Sequence, residues 1–157
     1  MHHLILLRHA HAEPPAAGQD DAQRPLSAIG HSEAVAAGNW LREHGLLPTR
    51  VLCSPAVRAT ETLAALGALA CSDMRTEPAI YGANPGTLAA LADNHRDAER
   101  LLIVGHNPGL EQLAALLHSG QTGDYRGMPP AAVAVLEFPA GATIEPGAAR
   151  LSHFWWP

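Results

Sequence analysis

The apolar positions of this chain come in two patterns. Short unbroken runs, Leu4-Ile5-Leu6-Leu7 and Leu101-Leu102-Ile103-Val104, leave no polar residue to face solvent on either side. That is the pattern of a strand buried on both faces, as in a parallel sheet. Longer stretches between them carry apolar residues suited to one side of a helix. Ser27 is placed to cap the first, which runs to about His44 with Ile29, Val35, Ala36, Trp40 and Leu41 on its apolar side and Gly45 at its end. Arg50-Val51-Leu52-Cys53 reads as a short strand, Ser54-Pro55 as a turn, and an Ala/Leu-rich helix follows from Ala56 to about Leu69. A third strand is expected from Met74 to Glu77, then a helix through about Asp93 with Asn84 as cap and Pro85 as first residue. The run ending at Val104 leads at once into Gly105-His106-Asn107-Pro108-Gly109 and a helix from about Leu110 to His118, Gly105 permitting a tight strand-to-helix turn. Ala132 to Phe138 and about Ala149 to Trp155 are strand-like with no helix between them, which suits an antiparallel pair. The alternation predicts an α/β fold: a three-layer α/β/α sandwich around a mostly parallel, mixed central sheet.

Length and composition narrow this further. A chain of 157 residues makes one domain able to bury roughly two-thirds of its unfolded surface. With 47% hydrophobic and 16% charged residues it reads as a soluble globular protein, and no stretch approaches the roughly 20 apolar residues that span a bilayer. Met1-His2-His3 passes directly into the first strand, without a basic segment, long apolar region and cleavage site. A cytoplasmic location and no membrane partner are therefore expected. All ten basic residues are Arg, which excludes Schiff-base chemistry and the lysine-bearing phosphate loop. A net charge of -5 and the lack of a basic run argue against nucleic acid as a partner. Cys53 and Cys71 match no metal or redox spacing and read as reduced, small core residues.

The chemistry gathers where the apolar runs stop. In open α/β sheets, ligands bind in the crevice outside the carboxyl ends of the strands. Arg8-His9 follows the first strand and His106 the later one, while Arg58 falls in the first turn of a helix, where free amides and the helix dipole already favour an anion. Two guanidiniums and two imidazoles on one crevice suit a dianion, with phosphate as its natural occupant. The irregular loop from Glu13 to Pro25 lies beside the site. His2, His3, His44, His95, His118 and His153 stand at strand or helix ends outside this pattern and read as surface or structural residues. His11 completes a His-Ala-His pattern that also suits the metal site of eight-stranded barrel amidohydrolases, but such barrels need about 250 residues. It is retained as a wall of the pocket.

Three segments, Leu7-Arg8-His9-Ala10, Ser54-Pro55-Ala56-Val57-Arg58-Ala59-Thr60-Glu61-Thr62 and Val104-Gly105-His106-Asn107-Pro108-Gly109, resemble in order the motifs of the histidine phosphatase superfamily, also called phosphoglycerate mutase-like. Arg24-Pro25-Leu26-Ser27 with Gly30 and the short connections look like the bacterial SixA-type phosphohistidine phosphatases. The resemblance covers nearly the whole chain and is firm to about Gly109. It implies a phosphoglycerate mutase-like fold and makes His9 the nucleophile that accepts the phosphoryl group, with Arg8, Arg58 and His106 binding its oxygens. Water then hydrolyses phospho-His9, with no metal and no cofactor. The implied partners are a phosphohistidine-containing protein as substrate and inorganic phosphate as product. Many relatives carry a leaving-group acid after the third strand. Glu77 is the nearest candidate, but its spacing to Gly82 differs by one residue from that pattern, and a strand-end surface charge is the other reading. Two further functions stay open at this point: a phosphatase for a small phosphomonoester or nucleotide, and a catalytically weak phosphate-binding regulatory module.

Overall fold

In the computed structural model, which describes residues 1–123 and 127–157, six strands form one sheet flanked by four α-helices. The strands are β1 (His3–Arg8), β2 (Arg50–Cys53), β3 (Met74–Thr76), β4 (Arg100–Gly105), β5 (Val133–Glu137) and β6 (Arg150–Trp155), in the spatial order β3-β2-β4-β1-β5-β6. The first four run parallel, and β5 and β6 are antiparallel additions on the β1 side. The expected three-layer α/β/α sandwich with a mostly parallel, mixed sheet is thus the observed architecture.

The apolar runs explain why β1 and β4 lie at its centre. Leu4 pairs with Leu101, Ile5 with Leu102, Leu6 with Ile103 and Leu7 with Val104, and all eight are fully buried. Successive side chains point to opposite faces. Leu4, Leu6, Leu101 and Ile103 accordingly join one core with α3 (Pro85–Asn94) and α4 (Gly109–Ser119), while Ile5, Leu7, Leu102 and Val104 join the other with α1 (Ala28–Glu43) and α2 (Val57–Ala65). Burying each such side chain is worth about 1.5–3 kcal/mol, so these two strands anchor both layers. Cys53 is buried in the second core, and desolvation pushes its thiol up to about 12, making it the inert core residue expected.

Local chemistry sets the element ends. Ser27 Oγ accepts from the Gly30 amide at 3.0 Å to cap α1, and Asn84 Oδ1 accepts from Thr87 at 2.8 Å to cap α3. The second helix stops at Ala65, short of the expected Leu69, because Gly67 turns into the left-handed region at φ +82°. Arg42 of α1 then takes the Leu66 and Ala68 carbonyls at 2.7 and 3.0 Å. Strand β3 ends at Thr76, one residue early, since Glu77 instead caps a single 3₁₀ turn, Pro78–Ile80. Gly105 differs in its reason. It takes no left-handed φ; a Cβ there would come within 2.8 Å of Ile80 Cγ2, so glycine serves close packing rather than the turn.

Candidate active site

The carboxyl ends of β1 and β4 and the start of α2 open onto one cavity of about 310 Å³. Arg8, His9, Arg58 and His106 all line it, together with His11, Arg24 and Asn107. The positioning begins in the sheet. Arg8 is the last residue of β1, where its amide donates to the Ala132 carbonyl at 3.1 Å and its Nη1 to the Met128 carbonyl at 2.9 Å. His9 leaves the sheet with its amide on Gly105 O at 3.0 Å and its carbonyl accepting from Ala131 at 3.2 Å. The backbone is held from both neighbouring segments.

The His9 ring is oriented by one bond: Nδ1 lies 2.7 Å from the Ala10 carbonyl. A carbonyl only accepts, so Nδ1 carries the proton and Nε2 keeps the free lone pair of a neutral imidazole. Ala10 is fixed in turn by Thr62 of α2, whose buried hydroxyl accepts from the Ala10 amide at 3.0 Å and donates to Arg58 O at 2.7 Å. His106 follows β4, its Nε2 2.7 Å from Ser54 Oγ, and its ring centroid stands 5.2 Å from that of His9. Arg58 is the second residue of α2, buried, with Nη1 donating to the Asp21 carbonyl at 2.7 Å and Nη2 to its carboxylate at 2.9 Å. Three buried nitrogens, Arg8 Nε, Arg58 Nε and His106 Nδ1, have no hydrogen-bond partner among the described residues.

The electrostatics combine cations that attract an anion with imidazoles held neutral. Burial, chiefly, pushes His9 down to about 3, aided by His106, Arg58 and Arg8 and opposed by the Ala10 carbonyl. Burial and then Arg58 push His106 down to about 4. Both rings are therefore neutral at physiological pH. In the unfolded chain they titrate near 6.5, so acid protonates the unfolded state first, and stability is lost as pH falls from about 6.5 towards 4. Proton and nitrogen NMR is expected to show both rings neutral at pH 5.5. A charged His9 ring at pH 6.5 in the phosphate-free protein would contradict this account.

Of the other residues singled out in the sequence, His11 keeps its expected place and Glu77 stays outside the cavity. His11 does line the cavity, with Nδ1 2.7 Å from Ser27 Oγ, and a Cβ on Gly30 would strike its carbonyl. Among the described residues, no group of three or more His, Cys, Asp or Glu is arranged to hold a metal. Glu77 does not line the cavity; its Oε1 accepts from the Ala79 amide at 3.0 Å. Arg24 and Asn107 line the cavity without having been singled out for it. The loop from Glu13 to Pro25 contains a 3₁₀ helix, Asp21–Gln23, capped by Asp20, and Arg24 bridges that helix to Glu13. Only its polar, turn-rich composition beside the site could have hinted at this.

A mixed α/β sheet with cations and paired imidazoles at its carboxyl edge defines the class, and the family model and similar solved structures make it a phosphatase. The sequence model of the histidine phosphatase superfamily (branch 1) matches residues 4–90, and the chain belongs to that family. It is 38% identical over 161 residues to an uncharacterized Mycobacterium tuberculosis protein, covering 96% of this chain and 99% of that one. A Nakamurella multipartitia structure ascribed to the phosphohistidine phosphatase SixA superposes with a TM-score of 0.86 at 30% identity, over 99% of this chain and 96% of that one. The protein histidine phosphatase SixA complexed with tungstate gives a TM-score of 0.81 at 26% identity, over 99% and 97% of the two chains. No helix among the described residues is long and apolar enough to cross a membrane.

Proposed function

We propose that the protein hydrolyses phosphohistidine on a partner protein through a covalent phospho-His9 intermediate. The observation that carries this reading is the Nδ1–Ala10 bond, which leaves His9 Nε2 unprotonated in a cavity lined by Arg8, Arg24 and Arg58. In the first step Nε2 attacks phosphorus as the P–N bond to the substrate imidazole breaks; the bonding pair returns to that nitrogen, and the ring, protonated on its other nitrogen, leaves as a neutral imidazole. Arg8, Arg58 and His106 hold the phosphoryl oxygens and stabilise the charge of the transition state. In the second step water attacks phospho-His9, the new P–N bond breaks, and inorganic phosphate leaves. Substrate and intermediate contain the same type of bond, so the first transfer is close to balanced. Dividing the displacement in two is the ordinary gain of covalent catalysis.

The substrate class rests on the leaving group. No carboxylate lines the cavity among the described residues, and Glu77 is committed to a backbone cap. An alkyl ester needs a proton donor as its oxygen departs, whereas a phosphohistidine ring protonated on its other nitrogen leaves as a neutral imidazole without one. Similar solved structures that carry the SixA name support the same substrate. Phosphate release from a phosphohistidine protein is therefore expected at a higher kcat/KM than from simple alkyl phosphates, with Glu77→Gln having little effect on it. A sugar phosphate or nucleotide turned over tenfold better, or a phosphohistidine activity abolished in Glu77→Gln, would move the assignment to a small phosphomonoester.

The cavity's own cations supply the charge that a metal ion would otherwise provide. Treatment with a chelator is accordingly expected to leave turnover unchanged. Loss of activity that Zn²⁺ or Mn²⁺ restores would instead make His9 and His11 metal ligands.

A further inference from the structure

Asp21 is tied to the cavity by more bonds than a surface acid requires. Its side chain is 51% exposed, yet its Oδ2 accepts from Arg58 Nη2 at 2.9 Å and from the Tyr81 hydroxyl at 2.6 Å, and its Oδ1 from Arg24 Nε at 3.0 Å. Its backbone carbonyl takes a second Arg58 bond at 2.7 Å. Ion pairs this exposed add little to stability, so fold stability does not account for the arrangement. Placement does. Arg24 and Arg58 both line the cavity, whereas Asp21 does not. The carboxylate thus stands behind two guanidiniums, able to fix their planes without filling the space an anion would take. A guanidinium has five N–H donors, and Arg58 gives two to Asp21, leaving three for other acceptors. Tyr81 extends the brace, its ring edge-on to His106 at 5.5 Å and 6.0 Å below the Arg58 guanidinium carbon.

We propose that Asp21 is a positioning residue for the phosphoryl site: its carboxylate, braced by the Tyr81 hydroxyl, holds Arg58 and Arg24 in the orientation that receives phosphate oxygens. The inference rests on reading the cavity as that phosphoryl site. The Tyr81 hydroxyl, then Arg58 and Arg24, keep the Asp21 carboxyl well below the usual carboxylate range. It stays ionised at physiological pH, an acceptor only, and does not protonate a leaving group. The opposite role, an internal anion competing with phosphate for Arg58, predicts an effect of opposite sign.

Calorimetric binding of inorganic phosphate and turnover of a phosphohistidine protein, measured on wild type, Asp21→Ala, Asp21→Asn and Tyr81→Phe, decide between these. Asp21→Ala is expected to weaken phosphate binding and lower kcat/KM, each about tenfold or more, approaching the ~10²-fold cost of misplacing a reacting group by about 1 Å. Asp21→Asn is expected to fall between wild type and alanine, because a carboxamide offers one acceptor and turns an N–H₂ towards the other donors. Tyr81→Phe is expected to lose less than Asp21→Ala. The melting temperature should barely move, which separates positioning from folding. Phosphate binding in Asp21→Ala that equals or exceeds wild type overturns the inference. A wild type that binds phosphate but leaves phosphohistidine intact removes the substrate reading alone, and one that binds no phosphate removes both.

Discussion

Replacing His9 by alanine is expected to reduce turnover of phosphohistidine protein by about 10⁴-fold or more, the scale of loss when a covalent nucleophile is removed. The reason is geometric. His9 Nε2 is the unprotonated nitrogen of a ring locked by the Ala10 carbonyl, and Thr62 holds that residue in turn. His106 is not locked in the same way: a hydroxyl both donates and accepts, so the Ser54 Oγ contact on its Nε2 fixes no lone pair as the Ala10 carbonyl does for His9. Phosphate binding should survive in His9→Ala, because the guanidiniums remain, so loss of chemistry and loss of the site are separable by calorimetry. Turnover in His9→Ala within tenfold of wild type would place the reacting nitrogen elsewhere.

Arg58→Ala and His106→Ala are each expected to lower kcat/KM by about 10²-fold or more, the usual effect of deleting a preorganised charge stabiliser. Arg58 matters as a fork. It is buried beside the cavity, and its two terminal nitrogens are already aligned by Asp21. Arg58→Lys keeps the charge but not the planar set of donors, so it should recover only part of the loss. In His106→Ala the Ser54 hydroxyl loses its ring partner, and the cavity loses an imidazole whose centroid stands 5.2 Å from that of His9. Wild-type kcat/KM in either alanine variant would put that side chain outside the reaction.

Much of this was legible in the sequence, for a specific physical reason. The runs Leu4-Ile5-Leu6-Leu7 and Leu101-Leu102-Ile103-Val104 have no polar face, so they had to be central strands, and a polar residue immediately after a central strand is delivered to the sheet's carboxyl edge. Arg8, His9 and His106 follow from that alone. Arg58 followed from a proline turn opening a helix, although the helix ends sooner than its Ala/Leu composition suggested because Gly67 and Arg42 intervene. Contacts across long stretches of chain were not legible. Asp21 meets Arg58 across 37 positions and Tyr81 across 60, and no local periodicity encodes either. Arg24 reaches the cavity only through the folding of its loop, fixed by the Glu13 amide on Pro25 O at 2.8 Å and the Leu26 amide on Glu61 at 2.9 Å. Glu77 shows the converse: a residue in nearly the right place whose bond to the Ala79 amide gives it a structural use.

The most direct test of the account is a single-turnover experiment with a partner protein carrying ³²P-phosphohistidine, quenched in alkali within the first turnover and mapped by peptide. The account predicts label that moves from the substrate to His9 and then to inorganic phosphate, stable to alkali and lost in acid, with none on the enzyme in His9→Ala. Inorganic phosphate that appears at full rate while no label ever resides on His9 would contradict it.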